Sequence, residues 1–248
     1  MPFRLDTWLV QNGFFESREK AQLAVRQGAV LINGLKAQKP AQQVGDDDEV
    51  QIQGEVLRYV SRGGLKLEKA IRVFGLGFKG KTVIDLGAST GGFTDCALQQ
   101  GAARIVAVDV GEGQLHPRLQ ADPRVLSLEN TDLRQLKPEQ LGGEKADILV
   151  ADLSFISLEH VFPYLPPLLK TDAQVVVLIK PQFEMKVRRR FKGGIIRDER
   201  LRQKLTAQAI GYAEAAGFRL EGITPTDADG QHKNVEFLAL FSIFAKKE

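Results

Sequence analysis

Short apolar runs alternate with amphipathic segments along the chain from about residue 80 onward. The apolar runs are rich in β-branched residues and too short for helices, so they favour strands. Strands that alternate with helices predict an α/β fold with a doubly wound parallel sheet. The predicted strands cover residues 82–86, 104–109, 125–128, 146–151 and 173–179. Two later apolar runs, at 219–224 and 235–241, are joined by a polar turn and predict a closing antiparallel hairpin.

A different pattern precedes the sheet, in residues 1–57. Apolar positions at helical spacing predict two helices, the first ending at Gly13 and the second capped by Ser17. A strand closed by the turn Asn33-Gly34 follows, and another strand is predicted at 50–52. These patterns predict three parts: a small α+β module (1–57), a linker (58–64) and a sheet domain (65–248).

The turn after the strand at 82–86 carries the clearest chemical signal. Asp85 lies in this strand, and the turn has the glycine spacing G-x-x-x-G-G from Gly87 to Gly92. A pyrophosphate-binding turn has the spacing G-x-G-x-x-G, and Asp85 would repel a pyrophosphate. A carboxylate suits a cationic amino-acid group instead. The turn therefore predicts a nucleoside that carries an amino acid, such as S-adenosylmethionine.

Asp109 supports this interpretation, because it ends the next predicted strand. An acid at that position of a nucleotide-binding α/β fold accepts hydrogen bonds from ribose hydroxyls. By itself, Asp109 would equally be an ordinary acid at a strand end. Its combination with the glycine turn favours the ribose-binding role.

Composition and charge narrow the class of protein. Cys96 is the only cysteine, so an intrachain disulfide is excluded and a reducing compartment is expected. The apolar runs are too short to span a bilayer, and the three histidines lack metal-ligand spacing, which predicts a soluble cytoplasmic protein without a metal. Basic residues concentrate in 58–81 and 186–192. These could be solvated surfaces, but two such patches near a ligand site favour a nucleic acid partner.

The N-terminal pattern resembles the S4 RNA-binding domain. The matching residues are Arg4-Leu5-Asp6, Gly13, Ser17-Arg18, Ala21, Gly28, Val30, Ile32-Asn33-Gly34 and Lys39-Pro40. The resemblance implies that basic side chains of the two helices contact folded RNA. Together with the basic patches, it gives the candidate RNA-binding residues Arg4, Arg18, Lys20, Arg26, Lys36, Arg62, Arg188, Arg189 and Arg190.

Four residues form a candidate catalytic set: Lys66, Asp152, Lys180 and Glu236. Singly, the lysines would be surface or strand-end cations and Asp152 a helix cap, whereas Glu236 before an apolar run is harder to dismiss. As a set, they resemble the Lys-Asp-Lys-Glu tetrad of the FtsJ-like ribose 2′-O-methyltransferases, as do the sequences from Val150 to Leu158 and from Lys180 to Glu184. The resemblance implies a Rossmann-like, seven-stranded sheet and S-adenosylmethionine as cofactor.

The candidate cofactor-binding residues lie at the glycine turn and at the ends of the following strands. They are Asp85, Gly87, Ala88, Ser89, Thr90, Gly91, Gly92, Phe93, Asp109, Val110, Asp132, Leu133 and Asp152. A ribose hydroxyl must lose its proton as it attacks a methyl group, and a lysine can accept that proton only when its pKa falls towards neutrality. We expect Lys180 to be this base and Lys66 to be the neighbouring cation. Asp152 and Glu236 would orient the lysines and balance their charge.

An S4 domain followed by an FtsJ-like domain resembles the TlyA family, which has also been called hemolysin A. The family methylates cytidine 2′ oxygens of ribosomal RNA, so the resemblance implies a ribosomal substrate. The chain resembles the shorter branch of the family, which is associated with large-subunit RNA, so we expect 23S rRNA as the substrate. We also expect a monomer or weak dimer. The chain departs from the family's usual glycines in the loop 185–190 and at Lys233. A transfer RNA substrate stays open.

Two alternatives belong to other functional classes. A membrane-active haemolysin would need an apolar span, a strongly amphipathic helix or barrel strands, and the sequence shows none of these. An RNA-binding, ribosome-associated protein without catalysis would not need the tetrad, which is intact.

Overall fold

The computed structural model describes residues 3–15, 17–45, 47–53, 58–185, 194–226 and 234–244. The chain forms two compact units, Met1–Val60 and Ser61–Glu248. Each unit has its own secondary structure and its own buried apolar residues.

The described residues of the N-terminal unit form two helices and five short strands. In chain order they are β1 (Phe3–Arg4), α1 (Leu5–Gln11), α2 (Arg18–Arg26), β2 (Val30–Ile32), β3 (Leu35–Lys36), β4 (Gln43–Val44) and β5 (Val50–Ile52). β2 pairs antiparallel with both β3 and β5, and β1 pairs with β4. The turn between β2 and β3 has positive φ at Asn33 (51°) and Gly34 (78°), as a tight hairpin requires. Ser17 caps α2 by accepting from the Lys20 N–H at 3.3 Å, as predicted.

A carboxylate is buried in this small unit. Asp6 is completely covered and accepts hydrogen bonds from Arg4, Arg18 and Gln22 at 2.7–3.1 Å. The hydrogen bonds from Arg4 hold the pKa of Asp6 well below its usual range, although burial opposes this shift. The acid therefore joins β1, α1 and α2 through a network that needs its negative charge.

The larger unit is built on one sheet. Its elements are α3 (Gly63–Phe74), β6 (Thr82–Leu86), α4 (Gly92–Gln99), β7 (Arg104–Val108), α5 (Pro117–Gln120), β8 (Val125–Leu128), β9 (Ala146–Ala151), β10 (Leu169–Ile179), α6 (Glu199–Ala215), β11 (Phe218–Pro225) and β12 (Phe237–Ile243). The strand order is β11-β12-β10-β9-β6-β7-β8. β6 to β10 are parallel to one another, whereas β12 is antiparallel to both of its neighbours. The predicted seven-stranded sheet with an antiparallel closing hairpin is confirmed.

The prediction that helices lie between all the parallel strands is wrong for two connections. β8 is joined to β9, and β9 to β10, by short 3₁₀ turns. The reason is proline, which removes a backbone donor and clashes with the preceding helical turn. Pro138 lies in the first connection, and Pro163, Pro166 and Pro167 lie in the second.

Several strand boundaries also differ from the expected ones, including the starts of the two strands next to Lys180 and Glu236. β10 begins at Leu169 instead of residue 173, with a break in register before Gln174. β12 begins at Phe237 instead of residue 235, so Glu236 precedes the strand and does not start it. Asn234 is held elsewhere, because its side chain accepts from the Ile196 N–H at 2.8 Å and donates to the Gly194 carbonyl at 3.0 Å.

Asp6→Asn should destabilise the N-terminal unit by about 2–4 kcal/mol, because two guanidinium groups lose their buried counter-charge. Trp8 is the only tryptophan of the chain and belongs to α1. Its fluorescence in a urea titration therefore reports this unit. The exposed Asp47→Asn is the matched control. Equal urea midpoints for the two variants would contradict the structural role of Asp6.

Candidate active site

Three of the four candidate catalytic residues lie at one edge of the sheet. Asp152 directly follows β9 and Lys180 directly follows β10. Because β12 runs antiparallel, Glu236 reaches the same edge from the other direction. The strand register brings them side by side, since Val177 pairs with Ala151 and Ile179 pairs with Phe237. This is the carboxyl edge, where open α/β sheets bind ligands.

Lys66 reaches this edge from α3. Glycines allow α3 to approach α4 closely: a Cβ added to Gly92 would lie 2.9 Å from the backbone nitrogen of Gly64. The Lys66 Nζ then lies 2.9 Å from a Glu236 oxygen and 3.5 Å from Asp152 Oδ2. Burial alone would lower the pKa of Lys66, but attraction to Asp152 and the hydrogen bond to Glu236 outweigh burial and raise it.

Lys180 lies on the other side of Asp152. Its Nζ is 2.6 Å from Asp152 Oδ1 and donates a hydrogen bond to Ser154 Oγ at 2.8 Å. The same nitrogen is 5.9 Å from the centre of the Phe183 ring. Only 8% of Lys180 is exposed. Asp152 therefore bridges two lysines, one on each carboxylate oxygen, and the structure brings the four candidate residues into one cluster.

Two loops carry this cluster and are fastened to each other. Glu184 is buried and accepts from the Ser157 hydroxyl at 2.7 Å and from the Leu158 N–H at 3.1 Å. Burial raises the pKa of the Glu184 carboxyl, although these two hydrogen bonds oppose the shift. The rings of Phe155 and Phe183 also meet across the loops, 5.1 Å apart. The loop after β9 is thereby held against the loop after β10.

Phe155 stands out on the surface beside Lys180. It is 82% exposed and has a φ of 65°, which is unusual for a bulky residue. An exposed aromatic ring in a strained conformation at a candidate site indicates a functional contact. In the sequence, Phe155 and Ser154 belong to the segment from Val150 to Leu158 that resembles the FtsJ-like methyltransferases, but nothing in the sequence indicates a role for either residue.

The glycine turn touches the loop that follows β9. Gly87 has a φ of 76°, and a Cβ there would lie 2.9 Å from the carbonyl oxygen of Asp152. The position therefore needs glycine for its conformation and for this close approach. The turn and the cluster of four candidate residues consequently lie at one edge of the sheet. They meet where Gly87 approaches the Asp152 carbonyl.

Asp85 is buried below this turn. One carboxyl oxygen accepts from the Thr94 hydroxyl at 2.6 Å, and the other has no hydrogen-bond partner among the described residues. Burial raises the pKa of Asp85 to about 7, while the hydrogen bonds from Thr94 oppose the shift and the charges of Asp152 and Asp109 add to it. A buried carboxyl group with a free oxygen suits a cationic group placed next to it.

Asp109 joins the loop after β6 to the loop after β7. Its two oxygens accept from the backbone N–H groups of Ser89 at 2.8 Å and Gly111 at 2.7 Å. Ser89 has a φ of 47°, and Val110 is 72% exposed next to Asp109. Of the other candidates at the turn, Ala88, Gly91, Gly92 and Phe93 are buried and Thr90 is exposed. The carboxylate thus lies at the rim of the turn.

Asp132 and Leu133 lie further along the same edge, beyond β8. The Asp132 carboxylate pairs with the Arg134 guanidinium, whose hydrogen bonds lower the pKa of Asp132 to about 2. Leu133 is buried. The preceding residue, Thr131, donates to the Asp109 carbonyl at 2.9 Å. This backbone bond connects the two candidates to the turn, whereas the Asp132 side chain is held by Arg134.

The candidate RNA-binding residues divide between the units. In the N-terminal unit, Arg4 and Arg18 bind Asp6, and Arg26 donates to Gln22 at 3.1 Å, so these three arginines form one connected basic strip. The remaining candidates are Lys20 in α2, Lys36 in β3, Arg62 at the start of α3, and Arg188, Arg189 and Arg190, which lie outside the described residues.

Comparisons with known proteins agree with this division. Residues 59–242 match the family model of the FtsJ-like methyltransferase, and residues 3–50 match the S4 domain. The chain belongs to the FtsJ-like methyltransferase family. The predicted combination of an FtsJ-like domain with an N-terminal S4 domain is confirmed.

Similar proteins extend over almost the whole chain. The 16S/23S rRNA (cytidine-2′-O)-methyltransferase TlyA of Mycobacterium tuberculosis is 42% identical over 94% of this chain and 87% of its own. Hemolysin A of Brachyspira hyodysenteriae is 40% identical over 97% of this chain and 100% of its own. A solved Streptococcus thermophilus structure, of a protein named as a hemolysin, is 40% identical with a TM-score of 0.76, covering 99% of this chain and 90% of that one.

The haemolysin names direct attention to membrane-crossing segments. Across the described ranges, none of the helices combines the length and the apolar character that crossing a membrane requires. The longest of these helices, α6, carries four charged residues in its first six positions and a further one at Glu214.

The pH dependence of stability should reveal Asp85. Its carboxyl group ionises near 3.8 when unfolded and near 7 when folded, so the folded state holds an extra proton between these values and stability falls as the pH rises through them. Asp85→Asn should therefore gain about 2–3 kcal/mol relative to the natural protein between pH 5 and pH 8.

Calorimetric unfolding of both proteins at the two pH values measures this gain. Asp172→Asn, an exposed aspartate of the same unit, is the control. Parallel pH profiles for Asp85→Asn and the natural protein would show that the buried carboxyl does not titrate as stated.

Proposed function

We propose that this protein transfers a methyl group from S-adenosylmethionine to a ribose 2′-hydroxyl, that of a cytidine, in ribosomal RNA. The cluster of Lys66, Asp152, Lys180 and Glu236 carries this proposal, because four segments distant in sequence converge on it. The names of relatives that act on cytidine 2′ oxygens of rRNA support the same reaction. We propose the large-subunit 23S RNA as the first substrate.

The residues of the glycine turn fit S-adenosylmethionine. Asp85 offers an unpartnered buried oxygen to a cationic group, and Gly87 leaves room where a side chain would collide with the Asp152 carbonyl. Asp109 lies at the rim with a carboxylate suited to ribose hydroxyls, and the exposed Val110 beside it offers apolar surface to an adenine ring. When bound, S-adenosylmethionine supplies an electrophilic methyl group on a positively charged sulfur.

Lys180 is the proposed base. It is buried at the sheet edge, and its Nζ accepts the proton of the ribose hydroxyl once it is in the free-amine form. Lys66 shares the Asp152 carboxylate with Lys180 and places a second positive charge beside the proposed base. Glu236 holds Lys66 at 2.9 Å and keeps this second positive charge in place.

Phe155 and Phe183 give the target nucleotide an aromatic surface next to Lys180. A nucleotide whose 2′-hydroxyl points at Lys180 brings its nucleobase within reach of these rings, and aromatic side chains stack on unpaired RNA bases. The substrate that fits is therefore an unpaired nucleotide, whose hydroxyl can enter between the two loops.

The N-terminal unit supplies affinity in this proposal. The basic strip of Arg4, Arg18 and Arg26 is preorganised by Asp6 and Gln22, and its guanidinium groups stay half-exposed for phosphates at Arg4 and Arg18. Phosphate contacts raise affinity without reading sequence, whereas base and ribose contacts at the sheet edge select the nucleotide.

Methyl transfer to isolated ribosomal subunits, with labelled cofactor and mapping of the product nucleotide, tests the reaction. Lys180→Ala should reduce transfer by at least about 100-fold, the usual scale for loss of a general base. It should keep its affinity for S-adenosylmethionine in calorimetry, since Lys180 is assigned to the proton and not to the cofactor.

Lys170→Ala is the matched control, because Lys170 belongs to β10, the strand that Lys180 follows, and also pairs with an aspartate, Asp147, at 2.8 Å. This variant should retain the natural rate. Near-natural transfer by Lys180→Ala would refute the assigned base, and binding of NAD in place of S-adenosylmethionine would refute the cofactor.

Salt titrations of RNA binding test the basic strip. Each phosphate contact that is lost flattens the slope of log affinity against log salt by about one. The double variant Arg18→Ala, Arg26→Ala should therefore flatten it by about two. Arg219→Ala, an exposed arginine paired with Glu221, should leave the slope unchanged. If the double variant keeps the natural slope, the strip does not contact phosphates.

A further inference from the structure

Among the described residues, the Lys180 Nζ donates one aligned hydrogen bond, and its acceptor is Ser154 Oγ at 2.8 Å. Asp152 Oδ1 lies closer, at 2.6 Å, but this oxygen forms no aligned hydrogen bond. Asp152 therefore attracts the Lys180 Nζ through charge, whereas Ser154 defines a direction for one of its N–H bonds. The orientation of the nitrogen depends on a residue outside the four-residue cluster.

The rest of the Lys180 side chain is already confined. The residue is 8% exposed, follows β10 directly and lies over the Phe183 ring. Rotation about the bond between Cε and Nζ is the freedom that remains. One N–H points at Ser154, and the charge of Asp152 attracts a second N–H without an aligned hydrogen bond. The tetrahedral nitrogen then has one direction left. That direction holds the third proton of the ammonium or the lone pair of the free amine.

We propose that Ser154 is a positioning residue that aims the Lys180 lone pair at the ribose hydroxyl, an inference that rests on the proposed function. As the hydroxyl reacts, its proton forms a bond with Nζ, and the electron pair of the broken O–H bond stays on the ribose oxygen. Ser154 accepts one N–H throughout and keeps its own proton. Its exposed position, two residues after Asp152, places it where the substrate ribose arrives.

The same loop offers a matched comparison. Ser157 also uses its hydroxyl across the two loops, but it donates to Glu184 at 2.7 Å and has no contact with Lys180 among the described residues. Ser157→Ala therefore loosens the attachment between the two loops but leaves the acceptor of the Lys180 N–H in place, so it measures the effect of the loop attachment alone. Ser154→Thr, in contrast, keeps an acceptor oxygen at the position in question.

Steady-state methyl transfer with saturating S-adenosylmethionine separates positioning from binding. Ser154→Ala should lower kcat about 10- to 100-fold, the scale of one hydrogen bond to a charged group. The KM for the ribosomal subunit and the Kd for the cofactor should stay within about twofold, since Ser154 is assigned to neither. Ser154→Thr should recover most of kcat. A kcat for Ser154→Ala equal to the natural value, or an equal loss in Ser154→Thr, would overturn the inference.

Nuclear magnetic resonance of the lysine amino groups in nitrogen-15-labelled protein gives a second readout that needs no activity. The Lys180 signal, identified by its absence in Lys180→Arg, should be sharp in the natural protein and should broaden more in Ser154→Ala than in Ser157→Ala. An unchanged signal in Ser154→Ala overturns the inference whether or not the protein methylates RNA. A natural protein that transfers no methyl group, with the signal changing as stated, contradicts the proposed function and leaves the Ser154 contact established.

Discussion

The active edge of the sheet depends on one carboxylate shared by two cations. Asp152 holds Lys180 on one oxygen and Lys66 on the other, and Glu236 holds Lys66 from the opposite side. Two lysines this close would repel each other without the intervening charge, and two carboxylates would do the same. The cluster is neutral as a whole, so it can be partly buried without the large cost of a buried unpaired ion.

Backbone contacts through glycine bring these charges to the same place. Gly92 lets α4 lie against the start of α3, which delivers Lys66, and Gly87 lets the turn after β6 lie against the Asp152 carbonyl. The strands deliver the other members, because β9, β10 and the antiparallel β12 all open onto one edge. The backbone therefore determines where the four charged residues lie, and their side chains only have to extend from these positions to reach one another.

Local patterns in the sequence were sufficient for much of this architecture. The hairpin turn at Asn33, the cap at Ser17 and the strand that contains Asp85 each depend on neighbouring residues, and each was predicted correctly. The prediction of a helix in the proline-rich connection before β10 is wrong. Strand–helix alternation favours a helix there, but the prolines of this connection do not allow one to form. In this connection the local effect of proline overrides the alternation of strands and helices.

Other features had no local signal. The pairing of Asp6 with Arg18, of Glu184 with Ser157 and of Lys180 with Ser154 joins residues that only the folded chain brings together. A sequence indicates that such residues are polar, but not which partners they choose. The resemblance to a known tetrad identified the four charged residues, whereas the serine that orients one of them became visible only from atomic distances.

Because Asp85 is buried below the glycine turn, binding of a cationic ligand there would release a proton to the solvent. A carboxyl group that titrates near neutrality is substantially protonated in the empty site, and a docked cation drives the proton out. The heat measured on binding then includes the ionisation heat of whichever buffer takes up that proton. The same association would look more exothermic in Tris than in phosphate, because Tris releases more heat when it takes up a proton, and the difference between the buffers would count the protons that Asp85 gives up.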